Sequence, residues 1–161
     1  MLPIIIFILA LYAIPKAEIQ VEVPKITAPP PDNRIQKLTT YLQKKNSPMA
    51  TEAAGIIQAS DESGIDYKLL TGIAKAESGF ERAGNTKDNN AWGFGCSGQS
   101  PCEHFTSFSD GARTVAATLR HHRAYREFQT TGRLEDISKR YLSGNKERWE
   151  ATIREVMEEL K

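Results

Sequence analysis

Residues 66–80 read DYKLLTGIAKAESGF. Leu69, Leu70, Ile73 and Ala74 recur at helical spacing, Asp66 stands where an N-cap is wanted, and Ser78-Gly79 closes the run. Glu77 is the odd member. It falls four residues after Ile73, three after Ala74 and seven after Leu70, so its carboxylate leaves the helix from the face that carries the core stripe. It also lies in the last turn, where the macrodipole is negative and disfavours a second negative charge. Burial and dipole push the same way, toward a carboxyl that keeps a protonated fraction near neutral pH. That is what a general acid needs. The competing reading is a surface ion pair with Arg82 or Lys75.

Helical periodicity continues on both sides of this stretch. Upstream, Ile35, Leu38, Tyr41 and Leu42 share a face, and Asn46-Ser47-Pro48 ends that helix and opens the next, with proline tolerated in a first turn. Ala53, Ala54, Ile56 and Ile57 carry the second helix to Ser63-Gly64. Downstream, Ala112, Val115, Ala116 and Leu119 predict a helix after Ser109, a shorter one spans about Leu134 to Leu142, and the last runs from about Lys146. Trp149, Ile153, Val156, Met157 and Leu160 lie on its one apolar face. Between Gly79 and Thr106 the pattern is lost. The expectation is a mainly α domain over residues 34–161 with one long irregular insert.

Composition bounds what this domain does. With 161 residues, 40% apolar and 25% charged, there is material for one core. Lys and Arg total 21 against 20 Asp and Glu, which argues against a nucleic-acid binder that works by neutralising phosphates. Two cysteines are too few for a disulfide-framework miniprotein or a four-thiolate zinc site.

The N-terminal end differs from the rest. Residues 2–14 read LPIIIFILALYAI without a charge. As a helix they span roughly 20 Å, short of the roughly 30 Å hydrocarbon core. Residues 1–17 are therefore expected to be a signal peptide or a short membrane anchor. Residues 18–33, with Pro29-Pro30-Pro31, read as an extended linker. The folded domain is then exported, to a periplasm, cell envelope or extracellular space.

The insert concentrates the remaining chemistry. Residues 88–95 read DNNAWGFG. Amides hydrogen-bond hydroxyl and N-acetyl groups, aromatic faces stack on a pyranose, and glycine on both sides of Phe94 admits close backbone approach. Trp92 and Phe94 are equally readable as core aromatics. In an exported chain Cys96 and Cys102 are expected to form a disulfide around a small loop. His104 completes a C-x5-C-x-H string that lacks a fourth ligand and a usual zinc spacing, so no metal is expected. Arg120, His121, His122, Arg123 and Arg126 form one basic cluster, read as a solvated helix face.

Four segments in order, AKAESGF (74–80), NNAWGFG (89–95), FTSFSDGARTVAATL (105–119) and Tyr141-Leu142 followed by Trp149, resemble the lysozyme-like superfamily. The likeness is to its bacterial endo-β-N-acetylglucosaminidase-like peptidoglycan hydrolases, and it covers roughly residues 50–161. It implies a helical bundle with a small irregular or β-hairpin lobe, and a glycan-binding cleft between them. Glu77 would be the catalytic acid, next to Ser78. Asn90, Trp92, Gly93 and Phe94 would form the opposing wall, and Tyr141 would line the cleft. The expected activity is hydrolysis of β-1,4 N-acetylhexosamine linkages of peptidoglycan by a monomer without cofactor. The alternatives are a lytic transglycosylase or a non-catalytic glycan-binding module of an envelope assembly. NAWGFG stands where transglycosylases carry Gly-Leu-Met-Gln, which favours hydrolysis over intramolecular cyclisation. The partner carboxylate is open. Paired carboxyls stand about 5 Å apart for retention and roughly 6.5–9.5 Å for inversion. Asp88 is the first choice, with Glu81 and Glu103 behind it, and a single-glutamate mechanism assisted by the substrate's N-acetyl group needs none.

Overall fold

The computed structural model describes residues 32–80, 88–96, 102–141 and 144–161. The chain divides into residues 1–30 and 31–161, and the architecture below belongs to the second part. The signal or anchor, nearly all of the linker, Glu81, Arg82 and Leu142 lie outside the described residues. Among the described residues no helix is long and apolar enough to cross a membrane.

Every regular element among them is helical: α1 (Asn33–Lys44), α2 (Ala53–Ser63), α3 (Tyr67–Ser78), α4 (Phe108–His121), α5 (Arg126–Thr131), α6 (Leu134–Tyr141) and α7 (Lys146–Glu159). Two short 3-10 turns, Pro48–Glu52 and Arg123–Tyr125, interrupt the series. The first departs from the expected start of α2 at Pro48. The Ser47 hydroxyl accepts from Met49 N (3.1 Å), and the segment tightens into a separate turn that buries Met49. The second divides the basic cluster. His122 is extended (φ −76°, ψ 134°) and ends α4, so Arg120 and His121 belong to one helix and Arg126 to the next.

Two pairings form the core, α2 against α4 and α3 against α7, with α1 laid on α2 and with α5 and α6 returning the chain from α4 to α7. Leu38, Leu70, Ile73, Leu119, Ile137 and Ile153 are fully buried between them. The α2–α4 pair is tied at one end by Glu52, whose carboxylate accepts from Phe108 N (3.2 Å) and from Ser109 N (2.8 Å). It thereby satisfies amide groups in the first turn of α4 that have no partner within the helix.

The α3–α7 pair depends on Gly72. A Cβ there would lie 2.8 Å from Ile153 Cγ2 and 3.1 Å from Ile153 Cα. The second contact is backbone, so relief requires moving α7. Gly72→Ala is expected to destabilise the fold by about 1–3 kcal/mol through overpacking. That outweighs the gain of roughly 1 kcal/mol in helix propensity. Urea unfolding measures the balance, and a stabilised variant would mean that α7 shifts at no cost.

Candidate active site

The end of α3 is closed on both sides. Gly79 takes a left-handed conformation (φ +62°) and its N–H returns to Lys75 O at 3.0 Å. Phe80 follows, also left-handed (φ +67°), a conformation that costs a non-glycine residue of order 1–3 kcal/mol unless its surroundings impose it. They do: Phe80 is 1% exposed, its ring meets Tyr41 edge-on at 5.9 Å, and its carbonyl accepts from the Ser47 hydroxyl at 3.0 Å. The last turn of α3 is thus anchored immediately after Glu77.

Glu77 is half-buried and turned toward α7. Its Oε1 accepts a hydrogen bond from the Trp149 indole, with Nε1 at 2.6 Å. Burial pushes its carboxyl above the ordinary carboxylate value, and the Trp149 hydrogen bond partly opposes that rise. Among the described residues no cation contributes to the balance. Lys75, the described half of the expected ion-pair alternative, is bound instead to Glu155 at 2.9 Å. A half-buried carboxyl held by a neutral donor keeps its proton to higher pH than one held by an ammonium or guanidinium group.

Three other expected residues gather around it. Gly93 sits with φ +60°, and a Cβ on it would lie 3.2 Å from Glu77 Oε2. Tyr141, at the end of α6, donates its hydroxyl to Trp92 O (2.7 Å) and packs its ring on Trp149 with centroids 5.6 Å apart. Burial first, and then the charge of Glu77, hold that phenol well above its usual range. Ser78 lies next to Glu77 and donates its hydroxyl back to Ala74 O at 3.0 Å.

Two residues of the insert, Trp92 and Asn90, are engaged by the protein's own groups. Trp92 is fully buried, and its indole donates to Leu70 O at 2.9 Å. Its ring edge approaches α4 where Gly111 leaves room, a Cβ there falling 2.8 Å from Trp92 Cζ3. Its ring is therefore a core aromatic and offers no stacking face. Asn90 is 6% exposed and acts as a clip: its amide NH2 donates to Phe94 O (2.8 Å) and Glu103 O (2.9 Å), while its carbonyl accepts from Phe94 N (2.9 Å). Phe94 remains partly exposed, tilted against Phe105 with centroids 6.2 Å apart.

Asp88 accepts from Phe105 N through its backbone carbonyl, and its carboxylate lies 2.7 Å from His104 Nδ1. Glu103 is exposed beside Gly95. Neither carboxylate contributes to the shift at Glu77. Cys96 and Cys102 are bonded to each other, so neither sulfur serves as a thiolate ligand or a nucleophile.

Trp149 is the member of this constellation that periodicity hid, because it reads as one more apolar residue of α7. The available signal was its type: a buried indole N–H needs an acceptor. Trp149 also borders a groove of about 440 Å³ with Lys75, Ala76, Gly79, Arg148 and Thr152. A groove of about 560 Å³ lies elsewhere, between α1 and the end of α7. Among its described lining residues the carboxylate, Glu159, is already taken by the Tyr41 hydroxyl at 2.7 Å and Lys45 at 3.3 Å.

No protein-family model, curated protein or solved structure matches the chain. What fold and site define is a mainly helical domain that holds one half-buried carboxyl, pushed up by burial, between two helices and a glycine of the insert.

Proposed function

We propose that this chain is a peptidoglycan glycan-strand hydrolase in which Glu77 protonates the glycosidic oxygen. The observation that carries the reading is the environment of Glu77: half-buried, raised by desolvation and, among the described residues, held by a neutral indole donor. Acid catalysis of glycoside cleavage asks for such a carboxyl. The resemblance of the four segments to the lysozyme-like hydrolases supplies the substrate class. In this reading the finer architecture is a cleft between the helical bundle and the insert, with Gly93, Phe94 and Tyr141 on its wall.

The mechanism needs one carboxyl. Glu77 gives its proton to the leaving oxygen as the bond to the anomeric carbon breaks. The acetamido oxygen of the same sugar attacks that carbon. The resulting Glu77 carboxylate then takes a proton from water, which opens the cyclic intermediate and restores the acid. The engagement of Asp88 with His104 and the exposure of Glu103 favour this route over a two-carboxylate one.

Digestion of purified peptidoglycan by the full-length chain, with mass spectrometry of the soluble products, tests the proposal. Reducing muropeptides are expected, and the sugar at the reducing end names the bond. Anhydro-sugar ends would instead assign a transglycosylase. Sacculi that bind the protein and release nothing between about pH 4 and 8 would overturn catalysis and leave a binding module.

A further inference from the structure

We propose that Trp149 is a positioning residue that gives the two oxygens of Glu77 different tasks: Oε1 is held as a permanent acceptor, and Oε2, facing Gly93, carries and delivers the proton. The proposal rests on Glu77 being the acid of the reaction.

An indole N–H donates and has no lone pair to accept with. The oxygen 2.6 Å from Trp149 Nε1 must therefore accept in both states of the carboxyl. In the neutral acid the carbonyl oxygen is the stronger acceptor, so the proton resides on the other oxygen, Oε2.

Trp149 is 5% exposed and fixed by the rings and helices around it. Its ring packs on Tyr141, the Tyr141 hydroxyl is tied to the Trp92 carbonyl at 2.7 Å, and the residue after Trp92 is Gly93. The chain of contacts thus leaves Glu77 through Oε1, passes through α7, α6 and the insert, and returns beside Oε2. At that return point there is no side chain. A Cβ on residue 93 would sit 3.2 Å from Oε2 and 3.8 Å from Cδ. A side chain at position 93 would crowd the oxygen that carries the proton. The scissile oxygen accordingly approaches over Gly93, and the indole keeps the carboxyl from rotating away.

The Tyr141 phenol feels the charge of Glu77, and burial first, then that charge, hold it well above its usual range. The test follows the indole N–H resonances of the full-length chain against pH. The chain has two tryptophans, and Trp92, bonded to Leu70 O, serves as an internal control. The Trp149 N–H signal is expected to move with the ionisation of Glu77, and the Trp92 signal to move far less. Trp149→Phe keeps the ring and loses the donor. It is expected to raise the Glu77 titration, followed by carboxyl carbon NMR, and to shift the basic limb of the pH–rate profile the same way. The rate constant kcat should fall roughly ten- to hundredfold as orientation is lost. Gly93→Ala is the second variant. It should abolish most turnover while leaving the Trp149 N–H signal coupled to Glu77. A Trp149 signal indifferent to that titration, or a Phe variant with unchanged titration and rate, would overturn the proposal. Failure of the hydrolase reading is separable: a wild-type chain inactive on peptidoglycan still has its Oε1 assignment decided by the N–H titration.

Discussion

Glu77→Gln is expected to lower turnover on peptidoglycan by roughly 10²–10⁴-fold, the usual contribution of a positioned general acid, with glycan binding retained. The glutamine carbonyl still accepts from the Trp149 indole, so the geometry survives while the transferable proton is lost. The same variant carries a stability signature whose sign follows from linkage. Burial raises the folded-state value of Glu77 above the ordinary 4.5. The folded protein therefore binds this proton more tightly than the unfolded chain does. The stabilisation is fully present below pH 4.5 and is lost as pH rises through the folded value. As pH rises the wild type must ionise a carboxyl in a desolvated place, and the neutral glutamine need not. Melting curves should show the Gln variant gaining on the wild type between acid and neutral pH. A gap that is constant with pH would mean that Glu77 is not desolvated, and would weaken the case for it as the acid.

Trp92→Ala should have the largest effect on stability, about 3–5 kcal/mol. Total stability of a domain is about 5–15 kcal/mol, so the variant would be partly unfolded or melt far lower. The cost combines the void left by a fully buried indole with the lost hydrogen bond to Leu70 O. The measurement also decides between the two readings of this residue. A tryptophan on a cleft wall would cost within about 0.5 kcal/mol on truncation and lose glycan affinity instead. Denaturant unfolding and a chitooligosaccharide titration of the same variant separate the two outcomes.

The helices were legible where one periodic stripe meets one core. α3 and α7 run as the spacing of Leu69 to Ala74 and of Trp149 to Leu160 predicts. Capping chemistry is local too: Asp66, expected as the N-cap of α3, accepts from Lys68 N. The expectations that shifted involve short-range competition. Ser47 and Pro48 make a 3-10 turn of their own, and an extended His122 splits what looked like one basic helix.

The insert was legible only as residue types. Asn90 and Trp92 have the chemistry of a sugar site, and an amide or an indole serves a ligand or the protein's own backbone equally well. Which of the two holds depends on partners 22 residues away, as for Trp92 and Leu70, or 13, as for Asn90 and Glu103. No local pattern encodes those distances.

By itself the amino-acid sequence determined the helical class and the placement of a carboxylate on the core-facing side of α3, because a 3.6-residue period converts spacing directly into direction. The tertiary structure decided what that carboxylate meets. Gly72 lets α7 approach α3, and α7 delivers Trp149 to Oε1. The insert returns Gly93 to Oε2. Contacts between residues 16 and 72 positions apart are set by the packing of whole helices, and spacing within any one of them carries no record of it.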